Sequence, residues 1–162
     1  MTGGFRILGV GSPFGDDRAG WEACTQLCAR SHVAALVPEP EIRALDRPGL
    51  LLVEHFAGTD GVILIDAVRS GAAIGTIHCL DGDGLGRVRP WLSSHAGGVM
   101  EAVDLARALG DLPLRLRIFG IEADPTNGRE FLSPAVSAAL PELVRLVEDQ
   151  ATAWVMRRPE TC

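Results

Sequence analysis

The chain has 162 residues, 47% of them hydrophobic and 22% charged, with a formal net charge of −6. That length suits one domain with a real core, and the composition excludes a disordered chain. The acidic balance argues against a nucleic-acid partner, which would favour a basic surface.

The four cysteines, Cys24, Cys28, Cys79 and Cys162, show no C-x-x-C spacing. Buried free thiols in a reducing cytosol suit them better than a zinc site or a disulfide framework. The opening MTGGFRILGVG lacks a basic segment followed by a long apolar one, so no signal peptide is expected. No run approaches the ~18 apolar residues that span a bilayer. The expectation is a soluble, cytoplasmic monomer with no membrane association.

Taken in chain order, Phe5 to Val10 reads as a buried strand ending in the turn Gly9-Val10-Gly11-Ser12-Pro13. A helix follows from about Asp17 to Ala29, with Gly20, Cys24, Leu27 and Cys28 on one face. A second strand is predicted near Glu41 to Leu45. Pro48 suits the first turn of a helix that Gly58 would close. Gly61 to Val68, GVILIDAV, is apolar on both faces until Asp66, as in a central strand covered from both sides. Gly75 to Leu80 is a further strand. Only about six residues separate it from the last one, too few for a parallel crossover, which predicts a hairpin and an antiparallel Gly75 strand.

Asp81 to Arg89 is a polar, Gly-rich loop, and a helix spans about Gly98 to Leu109. Leu114 to Ile121 forms the last strand. Ser133 and Pro134 make an N-cap and N1 pair for a helix with Val136, Leu140, Leu143 and Val147 on its buried stripe. Residues 155–162 read as a loose tail. With neither repeat nor linker, residues 1–162 form one domain with a core over about 5–150. The element order predicts an α/β three-layer sandwich: an about five-stranded, mostly parallel twisted sheet with one antiparallel strand and helices on both faces. Ligands in such sheets bind outside the carboxyl ends of the strands.

Three segments of the chain bring candidate residues to that edge. Asp16 and Asp17 follow the first strand at a helix start, where a carboxylate can cap the helix or face a cleft. Asp66 ends the run VILID, where a buried carboxylate must be paired, hydrated, cation-bound or protonated. His95 lies in SSHAGG before a helix. The 14 residues from Asp81 to Ser94 extend to about 45 Å, enough to bring His95 back to this edge. Two carboxylates and an imidazole suit zinc, nickel, manganese or iron. His32, His55 and His78, and the loop acids Asp81 and Asp83, read as structural or solvated. Glu122, at another carboxyl end, reads as a bracing or capping group that could also contact substrate.

The turn GVGSPFGDDRAG does not complete a dinucleotide fingerprint, because Phe14 stands where G-x-G-x-x-G needs glycine, and acids at the helix start repel a pyrophosphate. G-x-x-x-x-G-K-[ST], G-x-S-x-G and H-E-x-x-H are missing too. A nucleotide-binding α/β protein is therefore the weakest reading.

ILGVGSPFGDDRAGWEA resembles the opening of the hydrogenase maturation endopeptidases, which read as a strand, G-x-G-N, a short loop and D-[DE]-G-x-G. VILIDAV resembles that family's second acidic motif, SSHAGGVMEAVDLARALG its histidine segment, and RIFGIEADP with LSPAV its last strand and helix. The resemblance runs from about Phe5 to Glu148. It implies a hydrolase, an aspartyl-protease-like endopeptidase that clips the C-terminal extension from the precursor of the [NiFe] hydrogenase large subunit after nickel insertion. It places the nickel-contacting and catalytic positions on Asp17, Asp66 and His95, with Asp16 supporting. The nickel is then carried by the substrate, and other divalent metals can occupy the same ligands. No organic cofactor is implied. Ser12 stands where the family has Asn, and Arg18 where it has Gly. A non-catalytic metal-binding or docking module for hydrogenase assembly is the alternative. Whether metal or an Asp activates the attacking water is open.

Overall fold

The computed structural model describes residues 4–82, 92–93 and 98–156. Six strands form one sheet: β1 (Phe5–Gly11), β2 (Glu41–Asp46), β3 (Gly61–Arg69), β4 (Ile77–Asp81), β5 (Leu92–Ser93) and β6 (Arg115–Glu122). The order is β2-β1-β3-β6-β4, with β5 paired to the end of β3. β2, β1, β3 and β6 run parallel, and β4 and β5 are antiparallel to their partners. The helices are α1 (Ala19–Cys28), α2 (Ser31–Ala34), α3 (Val99–Leu109) and α4 (Pro134–Met156). The expected mostly parallel sheet with helices on both faces is the one observed.

β3 shows why the layers form. Successive strand side chains point to opposite faces. Ile63 and Ile65 pack with α1 and α4, in a cluster with Ala23, Leu27, Leu143 and Val147. Val62 and Leu64 pack on the other face with Leu52, Phe56 and the α3 residues Val99, Ala102 and Val103. A strand apolar on both faces is thus buried on both. The stripe Val136, Leu140, Leu143 and Val147 of α4 is buried as the spacing predicts.

Two glycines set how closely α1 approaches the sheet. A Cβ at Gly20 would lie 2.8 Å from the Ile65 carbonyl oxygen and would also collide with that of Val10. A Cβ at Gly9 would lie 2.6 Å from Cys24 Sγ and would meet the Gly20 carbonyl. Only a backbone without side chains fits there.

Four sequence expectations are corrected. β4 is antiparallel, but it pairs with β6 (Ile77↔Ile121), not with β3, so there is no hairpin. β6 is almost wholly buried and takes the interior position, leaving the half-exposed β4 at the edge. The segment after Pro48 is a 3₁₀ helix, Gly49–His55, with Leu52 buried and Leu50 and Leu51 exposed. Of the thiols, only Cys24 is buried among the described residues. Burial pushes it up to about 12, so it stays neutral and unreactive. Cys28 closes α1 and Cys79 lies on the edge strand, and both are exposed. Finally, α4 continues to Met156, past the point where the tail was expected. Cys162, Asp83 and most of the Asp81–Arg89 loop lie outside the described residues. No described helix is long and apolar enough to cross a membrane.

Gly20→Ala should destabilise the protein by about 1–3 kcal/mol, since the added methyl meets backbone that cannot rotate away. Urea unfolding measures this; an unchanged midpoint would mean that α1 can lift off the sheet at no cost.

Candidate active site at the carboxyl edge

β1 leads to β2 on one side, and the chain then crosses to β3 on the other. The carboxyl ends of β1 and β3 therefore flank a topological switch point, where α/β sheets open a crevice. β1 pairs with β3 only as far as Gly9↔Ile65, and β5 joins β3 at Val68↔Ser93. Asp66 falls between these two pairings, while its other side is paired to Gly120 of β6. It is 1% exposed. Alternation along β3 places it on the Val62 and Leu64 face, the one covered by α3.

Asp17 comes to this edge on the turn after β1. After β1 the chain makes a tight turn in which Ser12 N–H donates to the Asp17 carbonyl at 3.2 Å and Asp17 N–H to the Phe14 carbonyl at 3.1 Å. A 3₁₀ turn, Gly15–Arg18, then leads into α1. Asp17 is half-buried, and the Ser12 hydroxyl donates to its Oδ2 at 3.3 Å. Ser12 is itself buried, so the residue in place of the family's Asn still holds the turn. Arg18 turns away, to Glu22 Oε1 at 3.3 Å and the Glu130 carbonyl at 3.5 Å. Because Gly20 abuts the Ile65 carbonyl, the start of α1 and the end of β3 meet at this edge.

Asp16, adjacent in sequence, does something else. It is buried and accepts four hydrogen bonds from the loop between β6 and α4. Ser133 N–H reaches Oδ1 at 2.6 Å and the Ser133 hydroxyl Oδ2 at 2.8 Å; Asp124 N–H reaches Oδ2 at 2.8 Å and Asn127 Nδ2 reaches Oδ1 at 3.1 Å. Asp16 is an anchor that ties that loop to the turn after β1. Nothing in the sequence identified these partners, since they lie more than a hundred positions away.

Glu122 is a second anchor. The Ser70 hydroxyl (2.7 Å), Ser70 N–H (2.8 Å), Gly71 N–H (2.9 Å) and His78 Nε2 (3.1 Å) converge on its carboxylate. Burial pushes the Glu122 carboxyl up, but the bonds from Ser70, His78 and Gly71 outweigh it and hold the group below the usual range. The bracing role expected of Glu122 is the one seen. His32 bonds Thr152 Oγ1 at 3.0 Å and His55 lies in the 3₁₀ helix after β2.

His95 lies outside the described residues, between Ser93 of β5 and Gly98 at the start of α3. Among the described residues no three His, Cys, Asp or Glu side chains are grouped to hold a metal ion. Asp17 and Asp66 are thus both carried to the carboxyl edge of the sheet, one on the turn after β1 and one on β3, and carboxylates can accept a proton from water or contact a cation.

Two outcomes test the anchors. Asp16→Ala leaves several donors unsatisfied and should cost about 2–4 kcal/mol of unfolding free energy. Glu122 has a folded pKa below its unfolded value of about 4.3, so its contribution is complete above that value and is lost as pH falls through the lower folded value. Glu122→Gln should therefore be less stable than wild type by about 1–3 kcal/mol at pH 7, with the gap closing in acid. A gap that stayed constant down to pH 2 would contradict this.

Comparison with known proteins bears on the family and the fold. The family model described as hydrogenase maturation protease (HycI) matches residues 47–150, a stretch that includes Asp66 and His95 but begins after Asp17. The hydrogenase expression/formation protein HupD of Thiocapsa roseopersicina is 31% identical over 108 residues, which are 60% of this chain and 49% of that protein. The chain spans about half the length of this curated relative. The hydrogenase maturating endopeptidase HybD from E. coli superposes with a TM-score of 0.77 at 23% identity, covering 93% of each chain. The [NiFe] hydrogenase maturation protease HybD from Thermococcus kodakarensis gives 0.70 at 23% identity, over 91% of this chain and 99% of that one. These two likenesses establish the fold, and the family match extends over most of the chain: the protein belongs to the hydrogenase maturation protease family.

Proposed function

We propose that this protein is an endopeptidase that removes the C-terminal extension of a [NiFe] hydrogenase large-subunit precursor, and that it recognises the nickel already seated in that substrate. Asp17, Asp66 and His95 would contact the metal, with Asp16 in support as the anchor of the turn that carries Asp17. The observation that carries this reading is Asp66, a carboxylate 1% exposed at the carboxyl end of a central strand, at the switch point of the sheet. A purely structural acid at that depth would replace an apolar residue at a cost. His95 follows Ser93 by two positions in the sequence. Ser93 pairs with Val68, two residues past Asp66.

Nickel here is part of the substrate rather than a resident cofactor. Hydrolysis needs a water aimed at the scissile carbonyl and an acceptor for its proton. Either the substrate's nickel polarises the attack, or a carboxylate of the pair takes the proton as general base and later passes it to the leaving amine. Both routes need carboxylate oxygens at this edge. The enzyme would work as a cytoplasmic monomer.

Purified protein mixed with the matched precursor, with and without nickel, should release a C-terminal peptide only from the nickel-loaded form, read by intact mass spectrometry. Asp66→Ala and Asp17→Ala should each slow release by about 100-fold or more while keeping a folded circular dichroism spectrum. Processing of the loaded precursor by Asp66→Ala at the wild-type rate would sink the assignment, and equal cleavage of the nickel-free precursor would remove metal recognition from it.

A further inference from the structure

Phe14 stands three residues before Asp17, in the turn after β1 at the carboxyl edge of the sheet, and is 63% exposed. A single exposed apolar side chain is ordinary. This one is held in place. Of the chain's five phenylalanines, Phe5, Phe56 and Phe119 are buried, so apolar burial was available to the fold. The Arg47 guanidinium sits over the Phe14 ring, 6.0 Å from its centroid, at cation–π distance. Asp46 fixes that guanidinium from the side, with Arg47 Nε 2.6 Å from Asp46 Oδ1.

The backbone of Arg47 points the same way. Its φ is +41°, and among the described residues it is the only non-glycine with positive φ. Glycine would adopt that conformation at lower cost. The Arg47 N–H donates to the Gly11 carbonyl at 2.9 Å, latching the turn after β2 to the end of β1. A strained residue therefore braces both the backbone before the acidic turn and the aromatic ring in that turn. Strain of this kind persists where the surroundings over-determine it, commonly at functional sites.

We infer that Phe14, backed by Arg47, is a specificity-determining contact that takes an apolar side chain of the substrate polypeptide beside the bond to be cut. The inference rests on the proteolytic reading above. The cation lies over the ring, and the side chain stays 63% exposed. A rigid aromatic ring next to a crevice is the type of anchor that dominates polypeptide recognition. Arg47 acts through Phe14 and is a positioning residue.

The test uses the full chain and the nickel-loaded precursor, with Kd from biolayer interferometry and kcat and KM from mass-resolved processing. Phe14→Ala should raise Kd and KM about 5- to 30-fold with kcat within twofold and Tm unchanged. Phe14→Leu should recover most of the loss. Arg47→Gly should keep or raise Tm, because it relieves the strained φ, and yet raise KM. A merely structural arginine would lower Tm instead. Leu114→Ala, 90% exposed just before β6 at the opposite edge of the sheet, should behave as wild type. Wild-type Kd and KM for Phe14→Ala would overturn the inference. If wild type binds the precursor without cutting it, the proteolytic reading fails, and the Kd comparison still decides Phe14. If wild type does not bind the precursor, both fall.

Discussion

The close approach of α1 to the sheet is the constraint on which the site depends. At Gly20 the helix backbone lies against the carbonyls of Val10 and Ile65, and at Gly9 the strand accepts the helix in return. A side chain at either position would hold the two layers apart by about the depth of a methyl group. With the layers this close, the 3₁₀ turn ahead of α1 cannot drift away from the ends of β1 and β3. Asp17 is carried on that turn and Asp66 directly follows Ile65. Two residues 49 positions apart in sequence thus reach one edge because two glycines let backbone meet backbone.

Around this edge the loops are held by carboxylates rather than by apolar packing. Asp16 gathers four donors from the loop before α4, and Glu122 gathers four from the loop after β3 and from β4. Each anchor satisfies backbone N–H groups that an irregular loop cannot pair within itself. Charge-assisted bonds of this kind are the stronger class. Phe14, in the turn that carries Asp16, and Phe131, in the loop before α4, stay exposed. A rim held by apolar packing would have spent them on its own core.

Much of this was legible in the chain. GVILIDAV announced a central strand through its two apolar faces, and the carboxyl-edge rule then located Asp66 before any coordinates. The stripe on α4 and the antiparallel sense of β4 followed from spacing and loop length. The partner of β4 did not. A six-residue connection reads as a hairpin, and the insertion of β6 between β3 and β4 depends on burial competition between strands nearly forty residues apart. The same holds for the anchors. Asp16 and Glu122 carry no local mark of their role, because their donors come from distant loops. Arg47 is another such case: an Arg in the left-handed region looks like any surface residue until its φ is known.

The adjacent acids Asp16 and Asp17 show how the structure divides a motif that the sequence leaves undivided. Both sit in the same 3₁₀ turn, and either could in principle face a cation or a water. Both Asp16 oxygens already accept two hydrogen bonds each, from a loop that would be released if the carboxylate turned to a new partner. Such a group is costly to recruit for chemistry, since the buried Ser133 N–H and hydroxyl would lose their acceptor. Asp17 is half-buried, and the bond it receives from Ser12 is long, at 3.3 Å. The pair therefore splits in its surroundings: Asp16 is committed to the loop before α4 and fixes the turn, while its half-buried neighbour Asp17 is carried on that fixed turn.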